Sequence, residues 1–159
     1  MKKVLDTTSP RSTPGRGEAA DTWPMWAGTC VVEGVAVTFR EDGKTEVTFV
    51  TRDFREPTWP VELGAFDAVV TMQAAHEARH KRHLVPLLER ARTVIAPGGV
   101  LLYADHYLVP ETRWPALMPA RADQPLALEG AGFVDVQLRY EEGNMALWCG
   151  ANPVAGASR

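Results

Sequence analysis

The chain has 159 residues, of which 45% are hydrophobic and 23% are charged, which is ordinary for one globular domain with a substantial core. Its formal net charge of −3 gives no basic surface that would favour nucleic-acid binding. No apolar run approaches the ~20 residues that span a bilayer, and the first residues are not followed by the apolar core of a signal peptide, so we expect a cytoplasmic protein without membrane contact.

The amino-terminal region is predicted to be largely irregular. Residues 2–6 resemble a short strand, but residues 7–29 are rich in Ser, Thr, Pro and Gly without a sustained period, which favours a loop or a partly disordered arm. Cys30 and Cys149 form no C-x-x-C pair, so two buried thiols are favoured over a disulfide or a metal site. The expected divisions are an arm at 1–29, an α/β domain at 30–150 and a flexible tail at 151–159.

The segment from Cys30 to Thr51 shows a period of two. Apolar and β-branched residues recur at alternate positions in 35–39 and again in 47–51, and the charged loop Glu41–Lys44, which contains Asp-Gly, lies between them. A loop of this kind between two alternating runs predicts a β-hairpin.

The segment from Phe66 to Tyr107 predicts a strand, a helix and a second strand. Phe66 to Met72 and Val100 to Ala104 are near-continuous apolar runs, as in parallel strands that are covered on both faces. Pro97-Gly98-Gly99 is expected to end the helix, because proline cannot continue a helix and glycine accepts the left-handed cap. The apolar stripe of the helix consists of Leu84, Leu87, Leu88, Ala91, Val94 and Ile95.

The carboxyl-terminal part predicts a short helix and a hairpin. Asp123 is a candidate helix N-cap and Pro125 suits the first turn, which gives a helix over Gln124 to Glu129. Phe133 to Tyr140 and Asn144 to Gly150 are then two strands joined by a tight turn. An antiparallel hairpin is therefore expected at the end of the sheet.

Four pieces of the chain, in order, resemble the second half of a class I S-adenosylmethionine-dependent methyltransferase. The resemblance covers roughly residues 46–150 and implies a partial Rossmann-like, mostly parallel α/β sheet with an antiparallel carboxyl-terminal hairpin and an atypical amino-terminal arm and β-hairpin. The pieces are VTFVTRDFREP as the third strand and its loop, FDAVVTMQAAHE as the fourth strand, ARTVIAPGGVLLYADH as the turn into the fifth strand, and LEGAGFVDVQL as the helix before the last hairpin.

The resemblance implies a set of residues for the cofactor S-adenosylmethionine. Asp53 corresponds to the acidic residue that accepts a hydrogen bond from the adenine amino group, and Phe54 beside it is placed to pack on the adenine ring. Met72, Gln73 and Ala74 follow the fourth strand, where open α/β sheets bind their ligands. These five residues are the predicted cofactor-binding set.

Two histidines are candidates for a catalytic base. His76 follows the fourth strand and His106 follows the fifth, and a methyl acceptor that must lose a proton requires a base held near it. The alternative for each is a strand-end histidine that is hydrogen-bonded to backbone. The resemblance implies a methyltransferase that acts on a small-molecule substrate.

The amino-terminal part departs from this family. The family has a glycine-rich turn directly after its first strand, followed by a helix and a second strand that ends in an acidic residue for the ribose. Here nine residues separate Asp6 from Gly15 and Gly17, no apolar helix follows, and the ribose acid has no candidate. The sequence therefore predicts a truncated or diverged methyltransferase whose cofactor binding is impaired.

Loss of the first two strands would leave the fourth strand with an open edge, which favours pairing with other chains. We expect either that the hairpin at 35–51 covers Phe66 to Met72 or that a second subunit does. A homo-oligomer is thus predicted, and a non-catalytic protein that uses the sheet for oligomerisation or partner binding is the alternative function.

His76-Glu77-Ala78-Arg79-His80 also matches the zinc-peptidase motif H-E-x-x-H, in which two histidines one helical turn apart bind zinc. Pro86 fits the first turn of the following helix, which would leave the motif in a loop or a separate turn. Lys81 and Arg82 adjoin the two histidines and oppose a bound dication. No metal site is therefore expected, and a zinc peptidase is the third functional hypothesis.

Overall fold

The computed structural model describes residues 2–6, 32–39, 45–54, 56–78 and 80–154. Within these residues the chain forms one seven-stranded sheet, two α-helices and two short 3₁₀ turns, Ala75–Ala78 and Lys81–His83. The strands are β1 Lys2–Asp6, β2 Val32–Phe39, β3 Thr45–Arg52, β4 Phe66–Met72, β5 Ile95–His106, β6 Val134–Glu142 and β7 Met145–Ala151, and the helices are α1 Leu84–Thr93 and α2 Asp123–Gly130. Their order across the sheet is β3-β2-β1-β4-β5-β7-β6.

The described sheet is mixed rather than mostly parallel. Only β1 with β4 and β4 with β5 pair in parallel, while β1 with β2, β2 with β3, β5 with β7 and β6 with β7 pair antiparallel. At each end of the described sheet a short loop joins two neighbouring strands, β2 to β3 and β6 to β7, and a short connection can join only antiparallel strands. The predicted antiparallel hairpins thus lie at the two ends of the described sheet, and the predicted parallel pairing lies at its centre.

The expected open edge of β4 does not exist, because β1 pairs along it in parallel through Val4 to Asp6. The predicted hairpin is confirmed as β2 and β3, but it lies outside β1 and does not cover β4. Residues 7–31, which include most of the predicted arm and Cys30, lie outside the described residues.

The helix α1 packs its apolar stripe into the core, with Leu84, Leu87, Leu88 and Ala91 buried. It ends at Thr93, before the Pro-Gly-Gly sequence that was expected to stop it. That sequence lies inside β5 instead, where Gly98 has a positive φ of 80° that favours glycine. None of the helices in the described part of the chain is long and apolar enough to cross a membrane.

The carboxyl-terminal helix and hairpin are confirmed with two changes. Asp123 is the first residue of α2, and the preceding Ala122 occupies the N-cap position without a side-chain cap. The last strand ends at Ala151 rather than Gly150, and the following Asn152 is buried, with its side-chain amide donating to the carbonyl oxygen of Ile95 at 2.7 Å. Residues 155–159 lie outside the described residues.

Candidate functional site

Four of the predicted site residues, Met72, Gln73, His76 and His106, come together where the carboxyl ends of β4 and β5 lie side by side, here called the carboxyl edge of the sheet. Because β4 and β5 are parallel and Met72 pairs with Ala104, the chain leaves both strands at the same edge. Gln73 follows β4 directly, and Asp105 and His106 end β5. This carboxyl edge is where α/β sheets of this type bind their ligands.

His76 and Asp105 form a close pair at this edge. A short 3₁₀ turn, Ala75–Ala78, follows β4 and places the Nδ1 atom of His76 2.7 Å from Oδ1 of Asp105. The backbone N–H of His76 donates to Oδ2 of the same carboxylate at 3.2 Å. The Asp105 side chain is only 2% exposed, and that of His76 is 19% exposed. A buried carboxylate against Nδ1 fixes the ring orientation and favours the tautomer that carries its proton on Nδ1.

His106 is held by side chains on both ring nitrogens. Its Nδ1 lies 3.0 Å from Oδ1 of Asn144, and its Nε2 lies 3.2 Å from the amide nitrogen of Gln73. One tautomer satisfies both contacts, with Nδ1–H donating to Asn144 and Nε2 accepting from Gln73. In this tautomer both ring nitrogens of His106 are engaged in hydrogen bonds.

Gln73 has an unusual backbone conformation, with φ at 54°, a region that non-glycine residues rarely occupy. Its backbone N–H donates to the carbonyl oxygen of Ala104 at 2.8 Å, so the pairing of β4 with β5 continues one residue past the strand. This bond fixes the point at which the chain turns away and directs the amide of Gln73 at His106.

Gln124 is a site component that sequence reasoning missed. It is wholly buried, and its amide nitrogen lies 3.3 Å from the carbonyl oxygen of Asp105 and 3.2 Å from that of His106. Its amide oxygen accepts from the indole nitrogen of Trp148 at 3.0 Å. Thus α2 holds the end of β5 in place. The available signal was a polar residue four positions from the buried Leu128, on the inward face of a predicted helix.

Tyr103 lies beneath this cluster and is nearly fully buried. Burial, followed by the nearby charge of Asp105, raises the pKa of Tyr103 well above its ordinary value, while a hydrogen bond from Gln124 acts in the opposite direction. The phenol of Tyr103 is therefore neutral at any physiological pH.

The predicted cofactor residues separate into an edge group and a core group. Met72 is 44% exposed and Gln73 is half-buried, so both present side chains at the carboxyl edge. Ala74 is wholly buried. Phe54 is also buried, with its ring centroid 4.9 Å from that of Trp59, so it packs inside the core. Asp53 follows β3 and is half-buried.

The register of the first three strands places further acidic positions at this edge. Asp6 ends β1 and pairs with Val70 of β4. Because β2 runs antiparallel to β1, its first residues reach the carboxyl edge, and Glu33 pairs there with Thr51. The backbone therefore positions Glu33 near Asp53, whereas the end of β2, at Phe39, lies at the opposite edge.

The two histidines of the H-E-x-x-H sequence do not lie one turn apart on a single α-helix. His80 has extended backbone, with φ −166° and ψ 136°, and its Nδ1 accepts from the backbone N–H of Arg82 at 3.0 Å. His76 is paired with Asp105, and Pro86 lies in the first turn of α1, as predicted. Among the described residues, no group of three or more His, Cys, Asp or Glu side chains could hold a metal ion.

Comparison with solved structures shows the fold. The CurJ carbon methyltransferase aligns at 16% identity and a TM-score of 0.52 over 64% of this chain and 34% of its own. An O-methyltransferase family protein from Burkholderia thailandensis aligns at 19% identity and a TM-score of 0.49, over 65% and 35% of the two chains. Human N-acetylserotonin methyltransferase aligns at 18% identity and 0.46, over 64% and 32%. No family model and no curated protein matches the sequence.

The carboxyl-terminal part of this chain thus has the class I methyltransferase fold. The prediction of a partial Rossmann-like α/β fold is confirmed. The chain spans about a third of the length of the three solved structures.

Proposed function

We propose that this chain is a methyltransferase that transfers a methyl group from S-adenosylmethionine to a small molecule, with His76 as the general base. The observation that carries the proposal is the 2.7 Å contact between His76 and the buried carboxylate of Asp105 at the carboxyl edge of β4 and β5. The fold supports methyl transfer as the reaction class, and the His76–Asp105 pair supports proton removal by His76.

The residues at the edge fit the cofactor in part. Met72 offers an exposed apolar side chain, and Asp53 and Gln73 offer a carboxylate and an amide at the same edge. When bound, S-adenosylmethionine would supply an electrophilic methyl group on a sulfonium. Asp53 would then accept from the adenine amino group, and Met72 and Gln73 would line the cleft.

In this proposal, His76 removes the proton that the acceptor must lose. The acceptor hydroxyl or amine gives its proton to Nε2, while Nδ1–H keeps its bond to Asp105. The carboxylate stabilises the imidazolium that forms, without itself being protonated. His106 and Gln73, which are bonded to each other, would orient the acceptor.

The test is transfer of a labelled methyl group from S-adenosylmethionine to a panel of small phenols, carboxylic acids and amines. His76→Ala should lower the rate about 10²- to 10⁴-fold, the usual contribution of a general base. Asp105→Asn should lower kcat with little change in KM, since it alters the tautomer and not the contacts with substrate. Equal rates in His76→Ala and wild type would contradict the proposed role.

A second function is favoured by the reversed direction of β2. Because β2 is antiparallel to β1, its carboxyl end lies at the wrong edge for the ribose acid that the family carries there. We accordingly propose, as the alternative, a truncated, non-catalytic relative that binds a partner or forms homo-oligomers. Isothermal titration with S-adenosylhomocysteine separates the two: heat with a defined stoichiometry supports the enzyme. Absence of binding at millimolar ligand supports the alternative, and light scattering then measures its oligomeric state.

A further inference from the structure

A groove separate from the His76–Asp105 pair lies between the start of α1 and α2. Its cavity volume is about 440 Å³, within the range of about 300–1,000 Å³ that is usual for small-molecule sites. The floor is apolar, and one of its residues, Leu126, is 61% exposed, so the groove presents uncovered apolar surface. The apolar lining residues are Leu84, Val85, Pro119, Leu126 and Ala127.

One end of this groove carries positive charge. His80, Lys81 and Arg82 line it, and Lys81 and Arg82 are exposed. The backbone N–H of Lys81 donates to the carbonyl oxygen of Ala116 at 2.9 Å, which holds this turn against the loop before α2. The first turn of α1, which follows, contains no acidic residue, and no side chain caps it.

The groove also contains one negative charge, which lies at α2. Asp123 lines the groove in the first turn of α2, where the helix dipole favours a carboxylate. A ligand with one negative group would therefore be oriented with that group toward Lys81 and Arg82 and its apolar body along the floor. The formal charge of the whole chain is −3, so this basic end contrasts with the molecule as a whole.

We propose that the groove is a binding site for an amphipathic organic anion, a carboxylate with an apolar body of medium length. Burial of the body on Leu84, Val85 and Leu126 supplies the hydrophobic part of the affinity. The cationic end of the groove selects the carboxylate over a neutral head group. The proposal concerns binding alone and holds whether or not the chain transfers methyl groups.

The groove adjoins the His76–Asp105 pair through a smaller cavity. His80, Lys81, Leu84 and Pro119 line both spaces, and the smaller one also touches His76 and Asp105. A ligand in the groove should therefore alter the imidazole signals of His80 directly and those of His76 to a smaller extent. This gives a readout that does not depend on any activity.

The experiment is a titration of the full chain with octanoate, followed by backbone and histidine side-chain NMR, with octan-1-ol as the neutral probe. We expect saturable shifts at the lining residues and at His80, and binding of octan-1-ol that is weaker by about fivefold, the effect of one exposed charge contact of about 1 kcal/mol. Equal affinity for the two probes, or shifts confined to other surfaces, would overturn the proposal.

Matched variants locate the site. Arg82→Glu should weaken octanoate binding at least about fivefold without affecting octan-1-ol, whereas Arg139→Glu, on the exposed strand β6, should change neither. Leu126→Asp should weaken both probes, and Leu138→Asp, also exposed on β6, should weaken neither. All four side chains are exposed, so each variant is expected to fold, and the unliganded spectrum verifies this. Octanoate binding that survives both Arg82→Glu and Leu126→Asp contradicts the proposal.

Discussion

The carboxyl edge of the sheet is built in two different ways along its length. Over β4 and β5 the strands are parallel, and the residues that follow them converge in one hydrogen-bonded cluster around Asp105. Over β1 to β3 the strands alternate in direction, so the edge is reached by the end of one strand and the start of the next. The first region therefore brings His76, Asp105 and His106 together, while the second offers acidic positions at the ends of strands that alternate in direction.

The connections between strands explain this difference. A parallel pair needs a crossover of a dozen or more residues, which α1 provides between β4 and β5. Only residues 40–44 separate β2 from β3, and so short a loop enforces an antiparallel pair. This loop fixes β3 antiparallel to β2, and the pairing of β2 with β1 sets which end of β2 lies at the carboxyl edge.

The largest expected effect is on the core beneath the β4–β5 region. Leu101 lies wholly buried in the middle of β5, and Leu101→Ala should lower the free energy of unfolding by about 2–5 kcal/mol through lost burial and a cavity. Leu126→Ala, at a residue that is 61% exposed, is the matched control and should cost less than about 0.5 kcal/mol. Urea denaturation measures both, and a similar small loss in the two variants would show that this region does not carry the stability.

Replacing the buried amide that holds the end of β5 should have the next largest effect. Gln124→Leu leaves the carbonyl oxygens of Asp105 and His106 and the indole N–H of Trp148 without this partner, which should cost about 1–3 kcal/mol. Gln137→Leu, at an exposed position on β6, is the control. If Gln124→Leu is as stable as wild type and the imidazole signals of His76 are unchanged, Gln124 does not position the site.

Gly99, near the start of β5, is predicted to tolerate no side chain. A Cβ atom on Gly99 would lie 2.7 Å from the backbone oxygen of Asp67 and 2.9 Å from that of Ala96, so Gly99→Ala should destabilise the chain by about 1–3 kcal/mol. Gly130, at the end of α2, has open space around it, and Gly130→Ala should be neutral or stabilising by up to about 1 kcal/mol. Thermal unfolding compares the two, and equal melting temperatures would contradict the close contact of β4 with β5 at this point.

The smallest expected effect on stability concerns the contact between Arg121, in the loop before α2, and Glu141, in β6 of the last hairpin. Arg121 contacts Glu141 with two hydrogen bonds of 2.5 and 2.7 Å, and this contact, opposed by partial desolvation and aided by a bond from Tyr107, lowers the pKa of Glu141 to about 2. A lowered carboxyl pKa means that the bond stabilises the fold above the ordinary carboxyl range and is lost as the pH falls through about 2.

Arg121→Gln should therefore raise the pKa of Glu141 toward its ordinary value in an NMR titration. The side chains are exposed, so little change in stability at neutral pH is expected. An unchanged pKa of Glu141 in Arg121→Gln would show that the contact does not persist in solution.

The sequence was sufficient to predict the β4–α1–β5 unit and the last hairpin, because their apolar periods are long and their turns contain glycine or proline. The sequence also placed His76 after β4 and His106 after the fifth strand, and the structure has His76 in the turn after β4 and His106 as the last residue of β5; their catalytic roles stay predictions. The antiparallel pairing of β2 with β1 was not predictable, because the alternation in 32–39 is the same whichever way β2 runs. Phe54, a predicted cofactor contact, lies in the core, where its ring packs against that of Trp59.

Two further features of the structure were not predicted from the sequence, because they depend on contacts between segments that are distant in sequence. Gln124 is a helix residue whose partners, Asp105, His106 and Trp148, belong to other elements, and no local pattern encodes such a contact. The bond between His76 and Asp105 likewise joins residues from the ends of different strands. This contact between the two side chains can be predicted only once the order and direction of β4 and β5 are known.

The most direct test of the account is a backbone NMR titration of the chain with S-adenosylhomocysteine. If the β4–β5 edge is the ligand site, saturable shifts should be concentrated at Met72, Gln73, His76, Asp105 and His106, with a further shift at Asp53. Their magnitude should fall in Met72→Asp, which places a charge in the proposed cleft, but not in Leu138→Asp, on the far edge of the sheet. No shifts at millimolar ligand, or shifts confined to α2 and β6, would contradict the assignment of this edge as the functional site.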